Sequence, residues 1–164
     1  MKTILINRHA KSDWASGAET DFDRPLNERG KRDAPVMANR LKDRNIDIDK
    51  MISSPANRAI STCRVFAEKL ECLFDQIQIE MAIYENGTNA LKKLLPELES
   101  EVSTVLLFGH NPHFSSIITY YTGEQFGNLP TCGIVCIDFP IDSWEEINNV
   151  NGTIRFFDYP KNDI

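Results

Sequence analysis

Two arginines and two histidines in this chain have the residue types and spacing to handle an oxyanion: Arg8, His9, Arg58 and His110. Arg8-His9 directly follows the apolar run Thr3 to Asn7, His110 follows the run Thr104 to Phe108, and Arg58 lies five residues after Ser53, which closes the short run around Met51 and Ile52. Arginine presents a planar fork that makes paired hydrogen bonds to phosphate. A neutral imidazole is a competent nucleophile near neutral pH. An Arg-His pair alone is an ordinary surface feature. Three such junctions together point to phosphoryl chemistry.

Whether they come together depends on the elements that carry them. Thr3 to Asn7, Met51-Ile52, Gln76 to Glu80, Thr104 to Phe108, Ile134 to Phe139 and Thr153 to Phe157 read as strands. Between them lie helical patterns. Asn27 is placed to cap the first, whose apolar set Ala34, Met37, Ala38 and Leu41 has helical spacing, with Pro35 expected to kink or restart it. Ala59, Cys63, Phe66, Ala67 and Leu70 give a second apolar stripe, expected to start at Ser54-Pro55 with the serine as N-cap. A third helix is expected from about Asn89 to Glu99. A fourth is expected to open at Asn111-Pro112, to bury Phe114, Ile117, Ile118 and Tyr121, and to stop at Gly123. Strands alternating with helices predict a single α/β domain over residues 1–164, a three-layer α/β/α sandwich with a mostly parallel central sheet. Ligands of such sheets bind outside the carboxyl ends of the strands. That rule selects Arg8-His9, Ser53 to Arg58 and Gly109 to Pro112. Two of these junctions also open helices, whose N-termini carry free N–H groups and partial positive charge.

Arg8-His9-Ala10 resembles the RHG signature of the histidine phosphatase superfamily, in its RHA form. Ser53 to Ala59 (SSPANRA) resembles the second-arginine motif, and Gly109-His110-Asn111-Pro112 the second-histidine motif. Order and spacing agree over essentially the whole chain. Arg8 to Ser12 (RHAKS) and Asp23 to Gly30 (DRPLNERG) are similar to the SixA-type phosphohistidine phosphatases. The resemblance implies the phosphoglycerate mutase-like fold. It also implies a two-step hydrolysis in which His9 attacks phosphorus and water then cleaves the phosphohistidine formed. Arg8, Arg58 and His110 would hold the equatorial oxygens, with Arg24 a further contact. Asp21, Ser12 and Asn111 join Arg24 as substrate-binding candidates. Glu85, after the third strand, is the leading candidate to protonate the leaving group; Asp21 is its rival, and Asp13 stands behind both. Ala10 replaces the more usual glycine and narrows the space beside His9. Lys11 is as readily solvated as functional, and His113 reads more readily as a solvated residue than as a functional one.

Composition bounds the alternatives. The chain has 164 residues, 41% hydrophobic and 26% charged, with a formal net charge of -6. This suits a globular fold and opposes nucleic-acid or anionic-membrane binding. The apolar run near the N-terminus, Ile4 to Ile6, is too short for a signal-peptide core, and a cytoplasmic location with reduced thiols is expected. No cofactor and no metal are expected. His110 and His113 have no third ligand at convincing spacing, and Cys132 and Cys136 read as core residues. Asp47-Ile48-Asp49 precedes its strand and so lies at the wrong end for a nucleophile. No cysteine is followed by arginine six positions on, and no glycine-rich nucleotide loop is present. The expected partner is a phosphorylated protein or a small phosphorylated molecule. A general phosphomonoesterase and a non-catalytic phosphate-binding module are the competing readings. The oligomeric state is left open, and a monomer is compatible with these features.

Overall fold

The computed structural model describes residues 1–14 and 17–162, so the polar loop read over 11–26 is described except at residues 15 and 16. Side-chain alternation in the strands builds the core. In β1 (Lys2–Arg8) Ile4 and Ile6 join one hydrophobic cluster and Leu5 the other. β4 (Thr104–Gly109) divides Val105 and Leu107 from Leu106 and Phe108, and β5 (Ile134–Phe139) divides Val135 and Ile137 from Ile134 and Cys136. These strands are covered on both faces, which is why each reads as a continuous apolar run. With β2 (Lys50–Ser53), β3 (Gln78–Ile79) and β6 (Thr153–Asp158) they form a six-stranded sheet in the order β3-β2-β4-β1-β5-β6. β3, β2, β4 and β1 run parallel; β5 is antiparallel to β1, and β6 to β5. Only β5 opposes the rest.

The amphipathic helices close the two faces. α1 (Glu28–Asp43) and α2 (Asn57–Lys69) bring Met37, Leu41, Cys63 and Phe66 to the face of Leu5 and Phe108. α3 (Met81–Leu94) and α4 (His113–Thr122) bring Ile83, Leu91, Ile117 and Tyr121 to the face of Ile4 and Leu107. The result is the expected α/β/α sandwich. No helix among the described residues is long and apolar enough to cross a membrane. All four cysteines are free; Cys63, Cys132 and Cys136 are buried, and Cys132 precedes β5 with φ +59° instead of lying in it.

Some boundaries differ from the sequence reading. α1 is capped by the Asn27 side chain, which accepts the Gly30 N–H, and continues through Pro35 without restarting. α2 begins at Asn57, with Ala56 in the N-cap position and no side-chain cap. Ser54 is therefore not a cap: its Oγ accepts the Ala56 N–H and lies 2.8 Å from His110 Nε2. α3 starts eight residues earlier than the expected Asn89. It is broken at Asn86 (φ -160°, ψ 86°), whose side chain accepts the Asn89 N–H. The second segment matches the expected helix; the first, Met81 to Glu85, was hidden because Asn86 and Gly87 interrupt the apolar pattern. Pro96 sits in a 3₁₀ turn, Leu95–Glu97, after α3. At α4 the N-cap position belongs to Pro112, and Asn111 Oδ1 instead accepts from Ser115 N and Oγ. Gly123, at φ +71°, ends α4 as expected.

Two glycines fix where the junctions lie. A Cβ on Gly30 would collide with the Lys11 carbonyl, so its absence lets the segment after β1 lie directly on the first turn of α1. A Cβ on Gly109 would strike the Phe114 ring and Ile83, so only glycine lets α4 fold back over the end of β4.

Candidate active site

The sheet order makes β1 the neighbour of β4, and β4 the neighbour of β2, so all three chemistry-bearing junctions fall side by side at one edge. Backbone hydrogen bonds lock them together. His9 N–H donates to Gly109 O, and Ser54 N–H donates to Phe108 O. Cys132 N–H donates to His9 O, and Ala10 N–H donates to Thr62 Oγ1 on α2. The end of β1 is thus tied to β4, to α2 and to the turn that enters β5.

His9 is buried, and its Nδ1 lies 2.7 Å from Ala10 O. A carbonyl can only accept, so the proton of the neutral ring is on Nδ1 and the lone pair is on Nε2. His9 and His110 stand with ring centroids 5.3 Å apart. His110 is held through Nε2 by Ser54, and its Nδ1 has no partner among the described residues. Arg8 donates from one terminal nitrogen to Leu129 O, and Arg58 donates from both to Asp21, reaching its carbonyl at 2.7 Å and Oδ2 at 3.0 Å. The Nε atoms of both arginines are buried without a partner among the described residues.

Asp21 is the hub of the rim. Its carboxylate also accepts from Arg24 Nε and Nη2 and from the Tyr84 hydroxyl, and Arg24 Nη1 reaches Ser12 Oγ. Partial burial alone would raise the Asp21 pKa. The hydrogen bonds from Tyr84, Arg58 and Arg24 outweigh it and lower the group to about 2, so it is an anion at neutral pH. Burial, helped by the positive charge of Arg58, pushes His110 down to about 3. Burial likewise pushes His9 well below its usual range, with His110, Arg58 and Arg8 adding to it and the Ala10 hydrogen bond opposing it. Both rings are therefore neutral at pH 7.

These shifts have a consequence for stability. A histidine whose folded pKa is depressed binds its proton more readily in the unfolded chain. Its stabilising contribution is full above about pH 6.5 and is lost as pH falls toward the folded pKa, at about 1.4 kcal/mol per pH unit per group. Between about pH 6.5 and 3 the urea midpoint should fall in the native protein, and the fall should be shallower in His110→Gln. Parallel curves for the two proteins would contradict the depressed pKa.

Of the sequence candidates, the structure brings together Arg8, His9, Arg58, His110, Arg24, Asp21 and Ser12. Asn111 stands beside them, its amide donating to Asn128 Oδ1 and Leu129 O. Asp13 accepts from the Asn27 side chain. His113 lies on α4 with Nδ1 3.3 Å from Thr88 Oγ1. Glu85 is exposed on α3 and does not join the arginine cluster; Tyr84, its neighbour, does. Tyr84 and Ser54 are the residues that sequence reasoning missed in this role. The only sequence signal for Tyr84 is its place just before a carboxylate after β3, and Ser54 has the composition of a helix cap. No group of three or more metal-ligating side chains occurs among the described residues.

Residues 4–101 match the model of the histidine phosphatase superfamily (branch 1). This span holds the Arg8-His9 and Arg58 motifs but ends before His110, which the fold supplies. A putative phosphohistidine phosphatase SixA from Agrobacterium tumefaciens is similar in structure, with TM-score 0.80 and 26% identity over 97% of this chain and 98% of that one. A putative SixA from Nakamurella multipartitia superposes with TM-score 0.85 at 18% identity, covering 98% and 97% of the two chains. An uncharacterized protein of Mycobacterium leprae is 25% identical over 166 aligned positions, 94% of this chain and 99% of its own. The three motifs, the fold and the matched family model lead to one conclusion: the chain is a phosphatase that belongs to the histidine phosphatase superfamily, with the fold of its SixA-type members.

Proposed function

We propose that this phosphatase hydrolyses phosphohistidine, or a closely related phosphorylated side chain, through a covalent phosphohistidine on His9. The observation that carries the reading is the His9 tautomer. Ala10 O holds the proton on Nδ1, leaving the Nε2 lone pair free beside Arg8, Arg58 and His110. Attack by Nε2 on phosphorus forms the N–P bond as the bond to the leaving group breaks. The three equatorial oxygens gain charge, which Arg8, Arg58 and His110 stabilise. Water then attacks the same phosphorus: the new P–O bond forms, the N–P bond breaks with its pair returning to Nε2, and inorganic phosphate leaves with the proton of the water. Arg24, Ser12 and Asn111 complete the binding rim. A metal-free mechanism follows from the charge of Arg8, Arg58 and Arg24 together with the neutral His110, so activity should persist in chelator.

The leaving-group proton distinguishes substrates. Asp21 is an anion while Arg58, Arg24 and Tyr84 surround it, so it can donate only if an arriving phosphoryl group takes over the two arginines and raises its pKa. Glu85 is exposed on α3, away from the arginine cluster. A departing imidazole needs a proton less than a departing alkoxide, and general acid catalysis typically contributes ~10²–10⁴-fold. The test is a panel of phosphohistidine peptide, aryl phosphate and alkyl phosphate, run in chelator with native protein, Glu85→Gln and Asp21→Asn. Phosphohistidine should be the best substrate of the native protein. The acid's variant should slow alkyl phosphate most and phosphohistidine least. A uniform loss in both variants would remove both from the donor role. A native preference for alkyl phosphate would favour a general phosphomonoesterase.

A further inference from the structure

Beside the phosphoryl pocket lies a cleft of about 560 Å³ that meets the binding rim at Asn111 and otherwise takes no part in the chemistry above. Asn111, Ser116 and Thr119 line one wall, on α4 and the turn before it; Gln125, Gly127 and Asn128 line the other. The cleft starts at the catalytic edge. Its near end is the Asn111–Asn128 hydrogen bond, and the adjoining Leu129 carbonyl accepts from both Asn111 and Arg8. From there it runs along α4 for roughly 10 Å, at 1.5 Å per helical residue. Its volume falls within the ~300–1,000 Å³ of ordinary ligand sites, well beyond what a phosphoryl group alone requires.

Its chemistry is specific. Among the described residues, none that lines it is charged, although the pocket next to it is cationic. Ser116, Gln125 and Asn128 are exposed, and Gly127 leaves bare backbone, since a Cβ there would meet nothing within 4 Å. Neutral amides and hydroxyls on both walls suit a ligand that alternates donors and acceptors and has no net charge. Phe126 also lines the cleft; it is half-buried and stands in T-shaped contact with Phe157, ring centroids 5.2 Å apart. We propose that the cleft seats the polypeptide flanking the phosphorylated side chain, taking about three residues of extended backbone at about 3.3 Å each. The proposal rests on the reading of the site as a phosphohistidine hydrolase and extends it from the phosphoryl group to the carrier.

The test compares a phosphohistidine decapeptide with free phosphohistidine, both made with phosphoramidate. The enzymes are the native protein, Ser116→Trp and Gly127→Trp, which fill the cleft from opposite walls at open positions; circular dichroism confirms that each is folded. In both variants kcat/KM for the decapeptide should fall by about tenfold, equivalent to about 1.4 kcal/mol, while free phosphohistidine changes by less than about twofold. Equal losses on both substrates, or none on either, would overturn the proposal. Hydrolysis of glucose 6-phosphate that either tryptophan abolishes would assign the cleft to carbohydrate and also overturn it. Binding is read separately, by amide shifts on adding the decapeptide to the His9→Ala protein. Shifts at residues 116, 125, 127 and 128 are expected whether or not the native protein turns the peptide over; their absence would sink the proposal. Shifts without turnover by the native protein would retain the cleft and remove the proposed hydrolysis.

Discussion

His9→Ala is expected to reduce turnover by about 10⁵-fold or more, the scale on which loss of a covalent nucleophile acts. The fold should survive, because His9 closes β1 through backbone groups that alanine retains. Its N–H still donates to Gly109 O, and its carbonyl still accepts from Cys132. The side chain gives up one hydrogen bond, to a carbonyl next to it in sequence. A residual rate near that of the native protein in a folded variant would mean that another group attacks phosphorus.

Arg58→Ala should cost about 10²–10³-fold in kcat/KM, the loss typical of one donor to a developing oxyanion. It should also weaken vanadate binding. The same guanidinium holds the Asp21 carbonyl and carboxylate, so the truncation also frees the segment after β1. Arg58→Lys separates the two roles: it keeps the charge and loses the fork. Its activity should fall between that of the native protein and that of the alanine variant. Full activity in the lysine variant would show that charge alone suffices, and unchanged kinetics in the alanine variant would remove Arg58 from the site.

Much of the fold was legible in the sequence because buried parallel strands are compact apolar runs and amphipathic helices repeat their apolar residues every three or four positions. The strand ends that carry Arg8-His9 and His110 followed directly. What failed were local boundaries set by tertiary contacts. Ser54-Pro55 has the composition of a helix start, but Ser54 is occupied by His110 and Ala56, and α2 waits until Asn57. Met81 to Glu85 is helical although a two-residue strand precedes it and Asn86 breaks it. That helical turn moves Glu85 to an exposed position and sends the Tyr84 hydroxyl to Asp21. No periodicity could have shown that Asp21 gathers Arg24, Arg58 and Tyr84, because the gathering joins residues up to 63 apart through the reach of their side chains.

The central claim is a bond between phosphorus and His9 Nε2. Rapid acid-free quenching of the native protein with ³²P-labelled phosphohistidine peptide, followed by peptide mapping, tests it most directly. The expected result is label stable in alkali and lost in acid, carried by the peptide containing His9 and absent from His9→Ala. Label that persists in the alanine variant, or turnover with no labelled protein under conditions that trap the first step, would contradict it.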